Sequence, residues 1–296
     1  MSLNYQLCKK KFKVAVLLAA YNGRRWIEEQ LNSILNQENV NVEIFISVDL
    51  STDQTYEIVK SLEKKNKSII ALPYGERFGD AAKNFYRLIK DVKIDQYDFI
   101  ALADQDDIWL AQKLNRAINK INYIKCDAFS SDTIAFWENG REKYFKKSFP
   151  QKKYDYLFEA AGPGCTYVFR SKPLISFKNF LLLNWNSVNN VFFHDWMIYA
   201  FFRTYKYNWY IDTLPLIKYR QHSSNVIGLN LGFKAFFKRI KLVKNKFYRK
   251  EVEKIKILLK LNISTNLWFR VKNFFQLRRR FRDAFILLIL SIFGFY

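Results

Sequence analysis

Four short apolar runs, separated by stretches with helical spacing, constrain the fold of this 296-residue chain more than any other feature. Each run has the length and composition of a buried strand. The stretch after the first run places Ile27, Leu31 and Ile34 on one helical face. The alternation predicts α/β layering, in which helices pack on a mostly parallel sheet. The runs are residues 14–18, 43–48, 69–73 and 99–103.

An acidic cluster directly follows the fourth run, where Asp104, Asp106 and Asp107 occupy three of four positions. At an effective dielectric of about 20 and a separation of about 5 Å, each pair of ionised carboxylates repels by about 3 kcal/mol. A bound cation or protonation must offset this repulsion. Mg²⁺ or Mn²⁺ holding a diphosphate fits, because these ions bind one or two carboxylates together with phosphate oxygens and water. Alternatively, one Asp caps a helix that is predicted to begin near Ile108.

The sequence around the cluster, YDFIALADQDDIWLAQKL, resembles the acidic block of bacterial family 2 glycosyltransferases, particularly the rhamnosyltransferase-like branch that builds surface polysaccharides. Four further blocks, in the expected order, extend the resemblance from about residue 13 to residue 228. The resemblance implies the GT-A fold, a mixed and mostly parallel sheet flanked by helices. The other blocks are VAVLLAAYNGRRWIEEQLNSILNQ, IFISVDLSTDQT, GERFGDAAKNFYRLI and FFHDWMIYAFFRTYKYNWYIDTLPLIKYRQHSSNVIG.

The resemblance implies a set of nucleotide- and donor-binding residues. Among them, Asp49 would contact the base or its ribose, although Val48 stands where the family has a first acid and Leu50 replaces a glycine. Ser51 and Asp53 in the same block are predicted to be capping and turn residues. The implied donor-binding residues are Ala20, Tyr21, Asn22, Asp49, Lys83, Asp104 and Arg220.

The resemblance also assigns residues to the diphosphate and to a metal ion. Asp106 would be the main metal ligand, and Asp104 would serve the metal or the ribose. His222 would complete the metal site, together with Arg220 on a segment that folds back toward the diphosphate. Lys83 would approach the diphosphate, the alternative being an ordinary surface lysine. The implied cofactor is therefore Mg²⁺ or Mn²⁺.

Asp195 falls at the position of the catalytic base in the family's His-Asp-Trp motif. A carboxylate on the acceptor side could accept the proton of an incoming hydroxyl, and attack opposite the diphosphate would invert the anomeric carbon. Alternatively, Asp195 caps a helix over residues 196–202. The residues expected on the acceptor side are Trp109, Cys165, Thr166, His194 and Trp196.

The resemblance implies an inverting, metal-dependent enzyme that moves rhamnose from dTDP-rhamnose to a hydroxyl of a lipid-linked surface-polysaccharide acceptor. A UDP-hexose or UDP-N-acetylhexosamine donor is the first alternative, because few pocket residues distinguish sugars. The second alternative is an inactive, transferase-like binding subunit, because Val48 and Leu50 depart from the family motif.

A change in charge divides the chain into a predicted transferase domain, residues 1–230, and a basic amphipathic helical extension, residues 231–296. Residues 233–283 hold seventeen of the 49 Lys and Arg but three of the 27 Asp and Glu. The apolar end, residues 284–296, is too short to span a bilayer, so we expect an interfacial anchor on an anionic membrane. The alternative is that the extension packs against the transferase domain or a subunit partner. In the second case the protein would be a homo-oligomer.

The composition also bears on location and partners. Three cysteines without metal spacing or even pairing suit a reducing cytoplasm. We therefore predict a cytoplasmic protein at the inner face of a bacterial cell membrane. A pI of about 9.8 and 18% aromatic residues are also compatible with nucleic-acid binding, through phosphate contacts and base stacking. No nucleic-acid partner is predicted, because the basic excess is confined to the amphipathic extension.

Overall fold

The computed structural model describes residues 11–222 and 245–296. Its larger sheet has seven strands, and its smaller sheet has four. The strands are β1 (Phe12–Ala20), β2 (Val40–Val48), β3 (Ile69–Ala71), β4 (Phe99–Asp104), β5 (Ile108–Trp109), β6 (Ala128–Ser131), β7 (Thr133–Phe136), β8 (Glu142–Phe145), β9 (Val168–Arg170), β10 (Trp209–Asp212) and β11 (Ile217–Arg220).

The larger sheet has the order β10-β6-β9-β4-β1-β2-β3. Its pairs are parallel except those of β9, which runs antiparallel to both β4 and β6. Every residue of β1 from Val14 to Ala20 is buried, as expected for a central strand with helices on both faces. The four apolar runs form β1 to β4, so the predicted mixed, mostly parallel α/β layering is confirmed.

Helices connect the strands and cover the sheet. They are α1 (Ile27–Leu35), α2 (Thr55–Lys65), α3 (Ala81–Asp91), α4 (Lys113–Ile124), α5 (Ser171–Leu183), α6 (Trp185–Val188), α7 (His194–Thr204), α8 (Phe247–Leu258), α9 (Leu267–Lys272), α10 (Phe274–Leu277) and α11 (Phe281–Ile292). The expected helix start near Ile108 is wrong. Residues Ile108 and Trp109 instead pair with β11 in the smaller sheet, whose order is β5-β11-β7-β8, and the helix begins at Lys113.

The described C-terminal helices pack on the larger sheet and its helices. Ile255 of α8 and Leu287 of α11 lie in the same buried cluster as Leu102 of β4. Buried Glu251 accepts a hydrogen bond from the backbone N–H of Phe192, at 2.9 Å. No helix of residues 11–222 or 245–296 is long and apolar enough to cross a membrane.

The predicted domain boundary at residues 230 and 231 lies outside the described residues. The same is true of the first helical repeat of the basic extension. That repeat comprises Phe233, Phe236, Phe237, Ile240 and Val243. The division into two domains therefore stays a prediction, although residues 245–296 share the core of the first part.

Candidate active site

Three neighbouring parallel strands end at one edge of the larger sheet and bring together most of the predicted donor-binding residues. Ala20 at the end of β1 is paired with Val48 of β2, and Ala19 is paired with Asp104 of β4. Asp49 directly follows β2. Ligands of open α/β sheets bind outside the carboxyl ends of the strands, so this edge is the expected pocket.

A side-chain amide joins the first turn to the acidic cluster. Gln105 accepts a hydrogen bond from the backbone N–H of Tyr21 and donates one to its carbonyl, both at 2.7 Å. This approach requires Gly23, since a Cβ there would lie 2.1 Å from Gln105 Oε1. Asn22 between them adopts a left-handed conformation, with φ of 46°. Gln105 was not among the predicted site residues.

The block after β2 supports the same turn from the other side. The backbone N–H groups of Asn22 and Gly23 donate to Ser51 Oγ, at 3.0 Å, and to Thr55 Oγ1, at 2.8 Å. Asp53 accepts a hydrogen bond from the backbone N–H of Arg24 at 3.0 Å. Ser51 and Asp53 therefore shape the turn, in agreement with their predicted role as turn residues.

Asp49 fixes a loop beside the pocket. Its carboxylate accepts hydrogen bonds from the backbone N–H groups of Leu50, Phe78 and Gly79, at 2.8, 2.8 and 2.9 Å. The loop leads into α3, where Lys83 Nζ lies 3.5 Å from the carboxylate of its helix cap, Asp80. The predicted contacts of Asp49 and Lys83 with the donor stay predictions.

The acidic cluster gathers two carboxyls and a thiol in a small volume. Ligand atoms of Asp104, Asp107 and Cys165 lie within 4.8 Å of one another. Burial, with the charge of Asp106, raises the pKa of Asp104 to about 7 and that of Asp107 well above its usual range. Burial also raises the pKa of the Cys165 thiol, which therefore stays protonated beside the carboxyls. Cys165 thus lies beneath the acidic residues.

The residues of this cluster fit a hard divalent ion. Asp107 Oδ1 accepts a hydrogen bond from the backbone N–H of Arg220 at 3.1 Å, whereas buried Asp107 Oδ2 has no hydrogen-bond partner in the described part of the chain. An unsatisfied buried carboxylate oxygen is costly, and a cation would satisfy it. The sequence did not single out Asp107, although its place directly after Asp106 was a signal.

The segment after β11 reaches the acidic loop, while its predicted contact with the diphosphate stays a prediction. His222 Nε2 lies 2.7 Å from Asp106 Oδ2, and the His222 ring stacks on Trp26 with centroids 4.1 Å apart. Arg220 Nε donates to the Asp106 carbonyl at 2.7 Å, and the guanidinium also pairs with Glu29. Asp106, Arg220 and His222 therefore form one unit. Trp26 was missed, because stacking partners from distant segments leave no local signal.

A buried lysine lies beneath the cluster. Lys113 Nζ is 3.3 Å from the ring centroid of Trp109 and has no hydrogen-bond partner in residues 11–222 and 245–296. Burial lowers the pKa of Lys113 to about 7, while the negative charge of Asp107 opposes the shift. Trp109 is only 3% exposed. The structure thus places Trp109 under the acidic loop, whereas an acceptor-side position was expected.

Asp195 lies at the start of α7, within electrostatic range of the acidic cluster. Its charge contributes to the raised pKa of Asp104. Burial raises the pKa of Asp195 itself to about 6, while the positive charge of Lys147 opposes the shift. Asp195 Oδ1 accepts a hydrogen bond from the backbone N–H of Trp196 at 2.8 Å. The helix begins at His194, with Phe193 as its N-cap and no side-chain cap bond, so the alternative in which Asp195 caps it is wrong.

His194 is held as a neutral ring beside Asp195. It stacks on Phe85 with centroids 4.1 Å apart, and burial lowers its pKa to about 3. A Cβ at Gly164 would lie 2.5 Å from His194 Nε2. Thr166 and Trp196 are both buried and bond to backbone carbonyls, those of Pro163 and Tyr156. The predicted place of these two side chains on the acceptor side stays a prediction.

The fold and this site define a class of enzyme, the GT-A glycosyltransferases. A sequence model described as glycosyl transferase family 2 matches residues 15–194. The dTDP-rhamnosyl transferase RfbG of Shigella flexneri is 50% identical over 239 residues, which are 80% of this chain and 83% of that protein. The chain therefore belongs to glycosyltransferase family 2 and is a rhamnosyltransferase-like glycosyltransferase, as its motifs indicated.

One further relative and two solved structures also resemble the chain. The UDP-Glc:alpha-D-GlcNAc-diphosphoundecaprenol beta-1,3-glucosyltransferase WfaP of Escherichia coli is 33% identical over 106 residues, 36% of this chain and 40% of that protein. The mannosyltransferase PcManGT of Pyrobaculum calidifontis, solved with GDP-Man and Mn²⁺, has a TM-score of 0.55 at 15% identity, covering 97% of this chain and 82% of that one. S. aureus TarS 1-349 with UDP-GlcNAc gives 0.54 at 18% identity, covering 83% and 70%. The GT-A fold is confirmed.

Proposed function

We propose that the enzyme transfers rhamnose from dTDP-rhamnose to a hydroxyl of a lipid-linked surface-polysaccharide acceptor, with inversion at the anomeric carbon. The 50% identity to RfbG supports the donor. The observation that carries the chemistry is the position of Asp195, a buried carboxyl within electrostatic range of the acidic cluster that follows β4. A base and a diphosphate site on separate segments are what an in-line displacement requires.

The chain's own residues perform the steps around the reacting carbon. The acceptor oxygen bonds to the anomeric carbon as the bond from that carbon to the diphosphate oxygen breaks. Asp195, through the oxygen that Trp196 does not occupy, accepts the hydroxyl proton. Arg220 and Lys83 supply positive charge toward the departing diphosphate, and fixed charges of this kind stabilise a transition state without reorganisation.

Mg²⁺ or Mn²⁺ is the cofactor that this proposal requires. Asp104, Asp106, Asp107 and His222 would hold the ion, and the unsatisfied Asp107 Oδ2 supports this set. When bound, the ion would neutralise charge on the leaving diphosphate. The Mn²⁺ in PcManGT shows that a protein of this fold can bind such an ion.

Release of nucleoside diphosphate tests the proposal. Purified enzyme is incubated with an undecaprenyl-diphosphate glycan, Mg²⁺ or Mn²⁺, and dTDP-rhamnose or UDP-glucose; WfaP, a UDP-Glc enzyme, is the reason for the second donor. We expect dTDP release that EDTA abolishes, loss of transfer with retained donor binding in Asp195→Asn, and loss of dTDP release in Asp106→Asn. Asp95→Asn, an exposed carboxylate outside the site, is the control. If UDP-glucose turns over faster than dTDP-rhamnose, glucose is the donor sugar and the rhamnose proposal is wrong.

We further propose that the enzyme docks on the inner face of the cell membrane through its C-terminal helices. Trp268 is 72% exposed and Phe293 71% exposed, with basic Lys272 and Arg280 nearby in sequence. Apolar faces with basic flanks bind anionic leaflets. The exposed large apolar side chains of this described part are Ile257, Leu267, Trp268, Phe275, Phe281, Phe285, Ile286, Ile289, Ile292, Phe293 and Phe295.

Vesicle sedimentation tests this docking. We expect the enzyme to bind phosphatidylglycerol vesicles more strongly than phosphatidylcholine vesicles, and the double variant Trp268→Ser with Phe293→Ser to lose binding. Tyr123→Ser, an 85% exposed aromatic on α4, is the matched control. Analytical ultracentrifugation of the same variants separates this surface from a homo-oligomer interface. Loss of self-association with unchanged vesicle binding would contradict the membrane proposal.

A further inference from the structure

One arginine of the C-terminal extension is buried against residues 155–160. Arg279, between α10 and α11, is only 4% exposed. Its guanidinium lies 3.6 Å from the carboxylate of Asp155 and 3.5 Å from that of Glu159, and it donates a hydrogen bond to the carbonyl of Ala160 at 2.6 Å. The Arg279 backbone N–H also donates to Glu159. Arg279 therefore holds this segment through both its side chain and its backbone.

A second residue of the extension, Gln276 of α10, holds the beginning of the same segment. Its side-chain oxygen accepts a hydrogen bond from the backbone N–H of Lys153 at 3.2 Å, and its carbonyl accepts one from the backbone N–H of Tyr154 at 3.0 Å. The extension thus binds residues 153–160 at both ends of the segment.

The same segment also binds α7, the helix whose first turn carries the proposed base. Buried Asp155 accepts hydrogen bonds from the Tyr199 hydroxyl at 2.9 Å and from the Arg203 guanidinium at 2.8 Å, both of α7. The indole N–H of Trp196 donates to the carbonyl of Tyr156 at 2.8 Å. Three side chains of α7 are therefore attached to residues that the extension holds.

The acceptor-side loop, the GPGCT segment of residues 162–166, follows directly and contacts the proposed base. A Cβ built on Gly164 would lie 3.3 Å from the Cβ of Asp195, so the loop and the base pack closely. The Tyr167 hydroxyl lies 3.1 Å from the carbonyl of Gly162 and 3.4 Å from that of Asp195, and so joins the loop to the base a second time. The position of Asp195 therefore depends on how this loop is held.

We propose that Arg279 is a positioning residue for sugar transfer, which acts through Asp155 and Glu159 to hold the acceptor-side loop and the first turn of α7. The inference rests on the proposed function, in which Asp195 is the base. Removing one member of a buried ionic network leaves the other charged groups uncompensated, so each member constrains the others. Because a small misplacement of a catalytic group costs much in rate, Arg279 should affect turnover more than donor binding. The basic extension would then be part of the catalytic unit.

Hydrogen exchange followed by mass spectrometry tests the positioning without turnover. In Arg279→Ala we expect faster exchange in the acceptor-side loop and in the first turn of α7, where the backbone N–H groups of Thr166 and Met197 are hydrogen-bonded in the wild type. Arg270→Ala is the matched control, because Arg270 is also 4% exposed and belongs to the same extension. It should speed exchange only within residues 265–296. The partners of Arg270 lie in that range and are Thr265, Ser291 and Tyr296.

Steady-state kinetics of the full-length enzyme, with dTDP-rhamnose and the undecaprenyl-diphosphate glycan, provide the second readout. Arg279→Ala should lower kcat about ten- to hundredfold with little change in the KM for the donor, as expected for a misplaced base. Millimolar guanidinium should restore part of this kcat by replacing the missing side chain, and Arg270→Ala should keep a kcat close to that of the wild type. Glu159→Gln, which removes a charge and keeps an acceptor, should act like Arg279→Ala by a smaller factor. Thermal melting checks that each variant is folded.

The outcomes separate this inference from the proposed function. Unchanged exchange in the acceptor-side loop, or an unchanged kcat, in Arg279→Ala overturns the positioning role and leaves the transferase proposal intact. Equal effects of Arg279→Ala and Arg270→Ala also overturn it, because Arg279 would then only anchor the extension. If Arg279→Ala does not fold, Glu159→Gln decides by the same two readouts. If the wild type does not release dTDP from dTDP-rhamnose but the exchange difference between the variants is found, the donor proposal fails and the positioning of the loop by Arg279 stands.

Discussion

The contact between Gly23 and Gln105 allows a quantitative test of how the nucleotide turn is joined to the acidic cluster. The two hydrogen bonds between Gln105 and the backbone of Tyr21 are each 2.7 Å long. A neutral hydrogen bond contributes about 0.5–1.5 kcal/mol net, so Gln105→Ala should lower the free energy of unfolding by about 2 kcal/mol. Gly23→Ala should displace the same amide, because its methyl would lie 2.1 Å from Gln105 Oε1.

The double variant distinguishes this mechanism from two independent defects. In the Gln105→Ala background, the methyl at position 23 meets no amide, so Gly23→Ala should be neutral or should stabilise by up to about 1 kcal/mol through reduced entropy of the unfolded chain. The coupling free energy should therefore be about 2 kcal/mol. Gly162→Ala is the matched control, because a Cβ there has only ordinary contacts of 3.7 Å or more.

Urea denaturation followed by circular dichroism measures each free energy of unfolding, and the KM for the donor measures the consequence for the pocket. We expect both single variants to raise the KM, because Tyr21 and the acidic cluster lose their connection. The reasoning is refuted if Gly23→Ala has the same effect on unfolding in both backgrounds.

Three further predictions concern the base, the acceptor-side loop and the C-terminal helices. The kcat/KM should rise with pH through about 6 and then level off, because Asp195 accepts a proton only when ionised and burial raises its pKa to about 6. Initial rates measured from pH 5 to 8 test this prediction, and a flat profile contradicts it. Gly164→Ala should lower the free energy of unfolding, measured by urea denaturation, by about 1–3 kcal/mol, since its methyl would lie 2.5 Å from the His194 ring. A decrease no larger than that of Gly162→Ala would show that the ring moves freely. Ile255→Ala should lower the free energy of unfolding by about 2–5 kcal/mol, whereas Ile257→Ala, at a 76% exposed position of the same helix, should lower it by less than about 0.5 kcal/mol. Equal decreases would mean that α8 does not pack as described.

The sequence predicted the strands of the site well because their signals are local. The first four apolar runs are long enough to identify as buried strands, and acidic or polar residues follow the first, second and fourth at their carboxyl ends. The misplaced helix near Ile108 shows the limit of such signals. Ile108 and Trp109 form a strand only because β11, more than 100 residues later, pairs with them.

The residues that the sequence did not identify act through contacts between distant segments. Gln105 reaches back 84 positions to Tyr21, and Trp26 stacks on His222 from the opposite end of the domain. Nothing in the local pattern distinguishes Asp107 from Asp106. In the structure, however, Asp107 is buried with an unsatisfied oxygen, whereas Asp106 pairs with His222. Burial, which decides these roles, is a property of the assembled sheet edge.

The C-terminal helices show why the two interpretations of the basic extension, internal packing and membrane contact, need not exclude each other. Periodicity detects that a helix has an apolar face, but it does not tell how many apolar surfaces a group of helices forms. In α11, Leu287 is buried against the transferase core while Phe285 and Ile289 are exposed. One face can therefore attach the extension to the enzyme while the other remains available to a lipid surface.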